Sequence, residues 1–170
     1  LFGLARAAGV RRGVLLGSYF AHFAVAWPEL RLAEHHPYIR SRVEQEVAAL
    51  EASGDDLQLS ILQLPYIFGA MPGRVPLWAP LVNMVRTSRV LFYPRGGTNM
   101  VAVQHVAEAI VGGIERDVSG QRYLVGDENL SWRAFLRRLA IQTVGRARPV
   151  VTIPDALMRS TMRSVAQKHA

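Results

Sequence analysis

The chain predicts an α/β fold built on a mostly parallel sheet, and three observations carry that expectation. Short apolar runs recur along its 170 residues, separated by segments of ten or more residues with helical character. The clearest run, Gly13-Val14-Leu15-Leu16-Gly17, is apolar throughout and bounded by glycines, as a strand buried on both faces requires. Half of the residues are hydrophobic and 19% are charged, an ordinary composition for a globular chain with a core.

Taken in order, Leu1 to Ala8 reads as the end of a helix closed by Gly9, and residues 13–17 as the first strand. A polar-aromatic loop is expected up to His36. Pro37 then suits the first turn of a helix running to Ser53, closed by Gly54. Leu57 to Leu64 is a second strand. Pro65, Gly69, Pro72 and Gly73 mark 65–75 as loop. A helix over 76–85, a strand over 89–93, a turn at Gly96-Gly97 and an extended piece over 100–103 follow. The helix expected next covers 104–114, and a strand covers 122–125. Ser131 is placed to cap a helix reaching Val144. A last strand spans 149–153, and Pro154 begins a last helix.

Composition excludes several function classes. The chain has no cysteine, so it has no disulfide framework, thiolate metal site or cysteine nucleophile. Its net charge is +7, and Lys168 is the only lysine. The arginines come singly or in pairs (Arg11–Arg12, Arg137–Arg138) over the whole length, which reads as a solvated surface rather than a nucleic-acid footprint. Apolar runs such as Phe23 to Trp27 are far too short to span a membrane, and no signal-peptide pattern opens the chain. The expectation is a soluble, cytoplasmic protein with no nucleic-acid or membrane partner. His35 and His36 are adjacent, with only Glu34 near them, so no metal site is expected.

Two landmarks carry chemistry. Ser18 follows an apolar strand directly, at the carboxyl end of a sheet, where open α/β folds place their ligands. Tyr38 and Arg42 stand four apart near the start of a helix and share one face. A fixed cation beside a tyrosine favours its phenolate, and a nearby serine hydroxyl can bond the same substrate oxygen. Together they make an acid/base device for a carbinol or carbonyl oxygen.

The order of these segments resembles the extended short-chain dehydrogenase/reductase pattern of the NAD-dependent epimerase/dehydratase family. Gly9-Val10-Arg11-Arg12, the strand, Ser18 and Pro37-Tyr38-Ile39-Arg40-Ser41-Arg42 are similar to the family's basic turn, serine-bearing strand and Tyr-x-x-x-Lys helix. Gln63-Leu64-Pro65-Tyr66-Ile67-Phe68-Gly69 resembles the segment that passes the nicotinamide. Residues 99–109 and 120–126 resemble the pieces around the late helix.

The resemblance implies a Rossmann-like doubly wound parallel sheet with a small C-terminal substrate lobe, divided as 1–70 and 71–170. It implies NAD or NADP as cofactor. Tyr38 would be the general acid/base, Ser18 would orient the substrate oxygen, and Arg42 would hold the ribose. Gly17, Pro65, Tyr66 and Ile67 would line the cofactor. His22, Phe68 and Arg74 are the candidates for substrate contact. A hydroxylated or carbonyl small molecule such as a sugar nucleotide is the implied substrate, and a homodimer the implied assembly.

Two features depart from the pattern. Position 42 is arginine where the family has lysine, which keeps the charge but not the ability to pass on a proton. No Gly-x-Gly-x-x-Gly or similar loop opens the chain, so the sequence reads as a partial fold whose first βαβ units are missing. The rival to an enzyme is a non-catalytic sensor or scaffold of the same fold that binds a dinucleotide.

Overall fold

The computed structural model describes residues 1–70, 72–116 and 120–155, and these form two compact units. Unit 1 comprises Leu1–Ile67 and Val101–Asp127; unit 2 comprises Phe68–Met100 and the chain from Glu128 onward. The chain passes between them three times, so no single point in the sequence separates the lobes.

Unit 1 is built on a parallel sheet. Strand β1 (Arg12–Ser18) pairs with β2 (Gln58–Leu64) in a register running from Arg12 opposite Gln58 to Ser18 opposite Leu64. On its other side β2 pairs with β6 (Arg122–Leu124), giving the order β1-β2-β6. Six of the seven residues of β2 are buried, as a central strand covered on both faces requires.

Side chains alternate across the sheet, so β2 feeds two cores. Leu59 and Ile61 join Leu15, Ala49 and Leu50 on the face covered by helix α4 (Pro37–Ser53). Leu62 and Leu64 join Val14, Val106 and Ile110 on the face covered by α6 (Val103–Arg116). Helix α1 (Phe2–Ala7) adds Phe2 to the first core.

The segment expected as loop before Pro37 is mostly helical: α2 (Tyr19–Ala26), a 3-10 turn over Pro28–Leu30 and α3 (Leu32–His35). The run Tyr19-Phe20-Ala21-His22-Phe23 has no polar face, so it carries no amphipathic signature to read. What starts the helix is Ser18, whose Oγ accepts from the Phe20 N–H at 3.3 Å. Within the segment expected as loop after Leu64 lies a short strand, β3 (Tyr66–Phe68).

Unit 2 contains α5 (Ala79–Thr87), β4 (Leu91–Pro94), most of β5 (Gly97–Ala102), β7 (Glu128–Ser131), α7 (Trp132–Val144) and β8 (Val150–Ile153). Strands β4 and β8 are parallel, whereas β5 and β7 run antiparallel from Gly97 opposite Ser131 to Met100 opposite Glu128. A Cβ at Gly97 would fall 2.3 Å from the Leu130 carbonyl oxygen, so only glycine fits there. Helix α7 starts as expected, with Ser131 Oγ accepting from the Ala134 N–H at 3.1 Å, and ends at Gly145 in the left-handed conformation. The core gathers Val85, Leu91, Phe135, Leu136, Ala140 and Val150, with Phe68 stacked on Trp78 against it. The helix expected from Pro154 falls largely outside the described residues.

Sorting the arginines by unit changes the charge picture. Among the described residues unit 1 carries eight arginines and ten carboxylates, whereas unit 2 carries nine arginines and two carboxylates. The arginines are spread along the sequence, but among the described residues the carboxylates fall almost entirely in unit 1, so the excess positive charge lies in unit 2.

Candidate functional site

Helix α4 brings Tyr38 and Arg42 to the carboxyl end of β1, where Ser18 ends the strand. All three line one open cleft of about 340 Å³ in unit 1. Gly17, Pro65, Tyr66 and Ile67 line the same cleft, so every expected catalytic and cofactor residue is gathered in one place. Tyr19 and Phe20, which sequence reading left in a loop, complete its wall.

Tyr38 is 45% exposed, and the Phe20 and His36 rings stand edge-on to it at 6.2 and 6.4 Å. The Arg42 guanidinium sits over the tyrosine ring, 5.0 Å from its centroid, which adds a cation–π contact to the helix pairing. Its Nη1 donates to Gln45 Oε1 at 2.8 Å. Its Nε is shut away from solvent with no hydrogen-bond partner. Ser18 is buried, and its oxygen caps α2 while its own O–H stays available to donate.

Below this constellation lies a polar cluster that sequence reading missed. Glu46 stands one turn beyond Arg42 on α4 and is buried. Gln63 Nε2 donates to its two carboxylate oxygens at 2.9 and 3.2 Å, and Arg122 Nε donates to Oε2 at 2.9 Å. The cluster ties α4 to β2 and β6. Gly17 belongs to it by shape, since a Cβ there would come within 3.1 Å of Glu46 Oε1. The available signal was spacing: positions 38, 42 and 46 repeat every four residues, so Glu46 shares the inward face.

The three substrate candidates do not meet in that cleft. His22 lines a separate cavity of about 410 Å³ together with Gln63, Arg122 and Leu124. Phe68 packs in the core of unit 2, and Arg74 is exposed in the loop before α5. Among the described residues no group of three or more metal-binding side chains is present. No helix among them is long and apolar enough to cross a membrane.

No protein-family model matches the chain, and no curated protein matches it in sequence. Solved structures do match. A nucleoside-diphosphate-sugar epimerase from Pseudomonas aeruginosa superposes with a TM-score of 0.71 at 18% identity, over 96% of this chain and 57% of its own. UDP-glucose 4-epimerase from Thermotoga maritima, solved with UDP-glucose, gives a TM-score of 0.64 at 13% identity, over 91% and 54%. dTDP-glucose 4,6-dehydratase from Bacillus anthracis, solved with NAD, gives 0.63 at 13% identity, over 90% and 53%.

The fold is that of the nucleotide-sugar epimerases and dehydratases. It is Rossmann-like, and the chain spans about half the length of the solved structures it matches.

Proposed function

We propose that the protein containing this chain is an NAD(P)-dependent epimerase, dehydratase or reductase acting on a hydroxyl or carbonyl carbon of a nucleotide sugar or related small molecule. One observation carries this reading: Ser18, Tyr38 and Arg42 share a single cleft with Gly17 and the Pro65–Ile67 segment. Solved structures of the same fold hold NAD and UDP-glucose, which supports a dinucleotide and a nucleotide sugar here.

The residues present fit such a cofactor. The enclosed Arg42 Nε is a donor without an acceptor, and a ribose hydroxyl in the cleft would supply one. Arg42 and the Pro65–Ile67 segment would hold the nicotinamide end. The dinucleotide, when bound, supplies hydride transfer. Tyr38 gives or takes the proton at the substrate oxygen, and the Ser18 hydroxyl donates a hydrogen bond that orients that oxygen. The guanidinium keeps a positive charge over the tyrosine in every protonation state of the cycle.

The test is a fluorescence titration of NADH and NADPH into the longest natural product that contains this chain, paired with Tyr38→Phe. Binding of one dinucleotide is expected. The substitution should cut turnover roughly 10²- to 10⁴-fold while leaving dinucleotide affinity in place. If neither dinucleotide binds, the enzyme reading fails. If Tyr38→Phe leaves every activity intact, a non-catalytic sensor or scaffold of this fold takes its place.

A further inference from the structure

Two helix–strand connections of unit 2 arrive at the same end of one parallel ribbon. Helix α5 ends at Thr87 and β4 begins at Leu91; α7 ends at Val144 and β8 begins at Val150. Leu91 and Val150 form the first pair of the ladder, and Arg89 and Arg148 each stand two residues before it. The backbones are still joined just before the ladder, where the Leu91 N–H donates to the Pro149 carbonyl at 2.9 Å. Neighbouring strand lines lie about 5 Å apart, so two guanidinium groups rooted there can reach one anion. Arg86 stands in the last turn of α5, just before the first connection, and Arg146 follows Gly145 on the second. All four arginines therefore lie within five residues of the amino ends of the two paired strands, and neither connection contains an acidic residue.

Nothing described in unit 2 neutralises them. Of its two carboxylates, Glu128 is gripped by both terminal nitrogens of Arg138, at 2.6 and 2.9 Å. Asp155 follows β8, at the opposite end of that strand from Arg148. Arg148 Nε is shut away from solvent with no hydrogen-bond partner, a donor that an incoming acceptor would satisfy. Helix dipoles account for only part of the cluster. Arg86 complements the carboxyl end of α5, whereas α7 has no basic residue in its last turn, and Arg146 and Arg148 lie beyond it. None of the four lines the cleft that holds Tyr38.

We infer that Arg86, Arg89, Arg146 and Arg148 form a phosphate-binding site for a ligand carrying two or more phosphate groups, either a soluble polyphosphate or clustered phospholipid headgroups. Arginine suits this chemistry because its planar fork meets phosphate oxygens in pairs. The site stands whether or not the cleft of unit 1 is catalytic.

Two probes test it: calorimetric titration with tripolyphosphate, and co-sedimentation with phosphatidylcholine vesicles with and without phosphatidylinositol phosphate. Binding to at least one probe is expected, weakening as salt is raised. Tripolyphosphate without vesicle binding assigns the soluble ligand; vesicle binding alone assigns the headgroups. Arg89→Glu with Arg146→Glu, both exposed positions, should lower affinity about tenfold or more, as losing charge-assisted hydrogen bonds does. Arg148→Gln should weaken binding in the same direction with the fold intact by circular dichroism. Arg133→Glu with Arg137→Glu, on the exposed face of α7, makes the same charge change and should leave affinity within about twofold. The inference is overturned if neither probe binds, if both double variants lose binding equally, or if duplex DNA is bound while both probes are ignored.

Discussion

The two units divide polarity in opposite ways. Every buried polar or charged side chain among the described residues belongs to unit 1: Ser18, Glu46, Ser53, Ser60 and Gln63. In unit 2 the buried positions are all apolar, and its arginines stand at or near the surface. A buried carboxylate is tolerated only when its lone pairs are answered, and Glu46 is answered by Gln63 and Arg122 directly beneath the helix that carries Tyr38. Unit 1 thus spends interior space on holding a polar constellation in place. Unit 2 follows the simpler rule of an oily core under a charged coat, with its excess charge directed outward.

The comparison is broken most sharply by damaging each interior in its own way. Leu136 is fully buried in the apolar core of unit 2. Leu136→Ala should cost about 2–5 kcal/mol, visible as faster hydrogen exchange of the α5, α7 and β8 amides while the β1 and β2 amides keep their protection. If both sets of amides exchange together, the units do not behave as separate cores.

Glu46→Ala tests the other interior. It strands the Gln63 amide and removes the partner of Arg122, whose side chain is 45% exposed and can turn to water. The expected loss is about 2–3 kcal/mol, read by urea denaturation, with exchange rising first in α4 and β2. A loss under about 0.5 kcal/mol would mean that the cluster is not what fixes α4 to the sheet.

The smallest expected effect is a pH dependence at the junction of β5 and α6. Asp127 accepts from the Ala102 N–H through Oδ2 and meets His105 Nδ1 through Oδ1, each at 2.8 Å. The hydrogen bond to Asp127, and then its charge, hold the His105 pKa above the usual histidine range. The Ala102 N–H first and His105 second hold Asp127 below the usual carboxylate range. A group with a raised folded pKa contributes stability below its unfolded value and loses it as pH rises through the folded one. The carboxylate contributes above its unfolded value and loses that as pH falls through its folded one. The protein should therefore lose a small increment of thermal stability from mildly acidic to alkaline solution. That slope should disappear in His105→Ala.

Much of unit 1 was legible in the sequence. The apolar run at 13–17 became β1, Pro37 and Gly54 bracketed α4, and Leu57 to Leu64 became the central strand. Each carried a local signal: an unbroken apolar run, a proline at a first turn, a glycine at an end. The helix at 19–26 was missed because His22 alone interrupts an aromatic and apolar run, which leaves no periodic face to read. Strand β7 was missed because Glu128-Asn129-Leu130-Ser131 has turn-like composition, and it is extended because β5 is there to pair with it. The residues of the cleft were found through the order of the segments. The substrate candidates were not brought together in it, because loop residues are placed by packing rather than by sequence spacing.

By itself the sequence determined the apolar runs that became β1 and β2, the four-residue spacing that aligns Tyr38 with Arg42, and the capping of α7 by Ser131, since each depends on residues close along the chain. Only the tertiary structure decided what depends on distant partners. The chain crosses between units three times, so the acid-poor stretches 68–100 and 128–155 are brought into one unit. Gln63 and Arg122 meet Glu46 from 17 and 76 residues away. The connections that carry Arg89 and Arg148 arrive at the same end of one ribbon because β4 pairs in parallel with β8, about 60 residues further along the chain. Periodicity and capping report on a residue's near neighbours; which distant side chain satisfies a buried charge is set by strand pairing and helix packing, which no local pattern encodes.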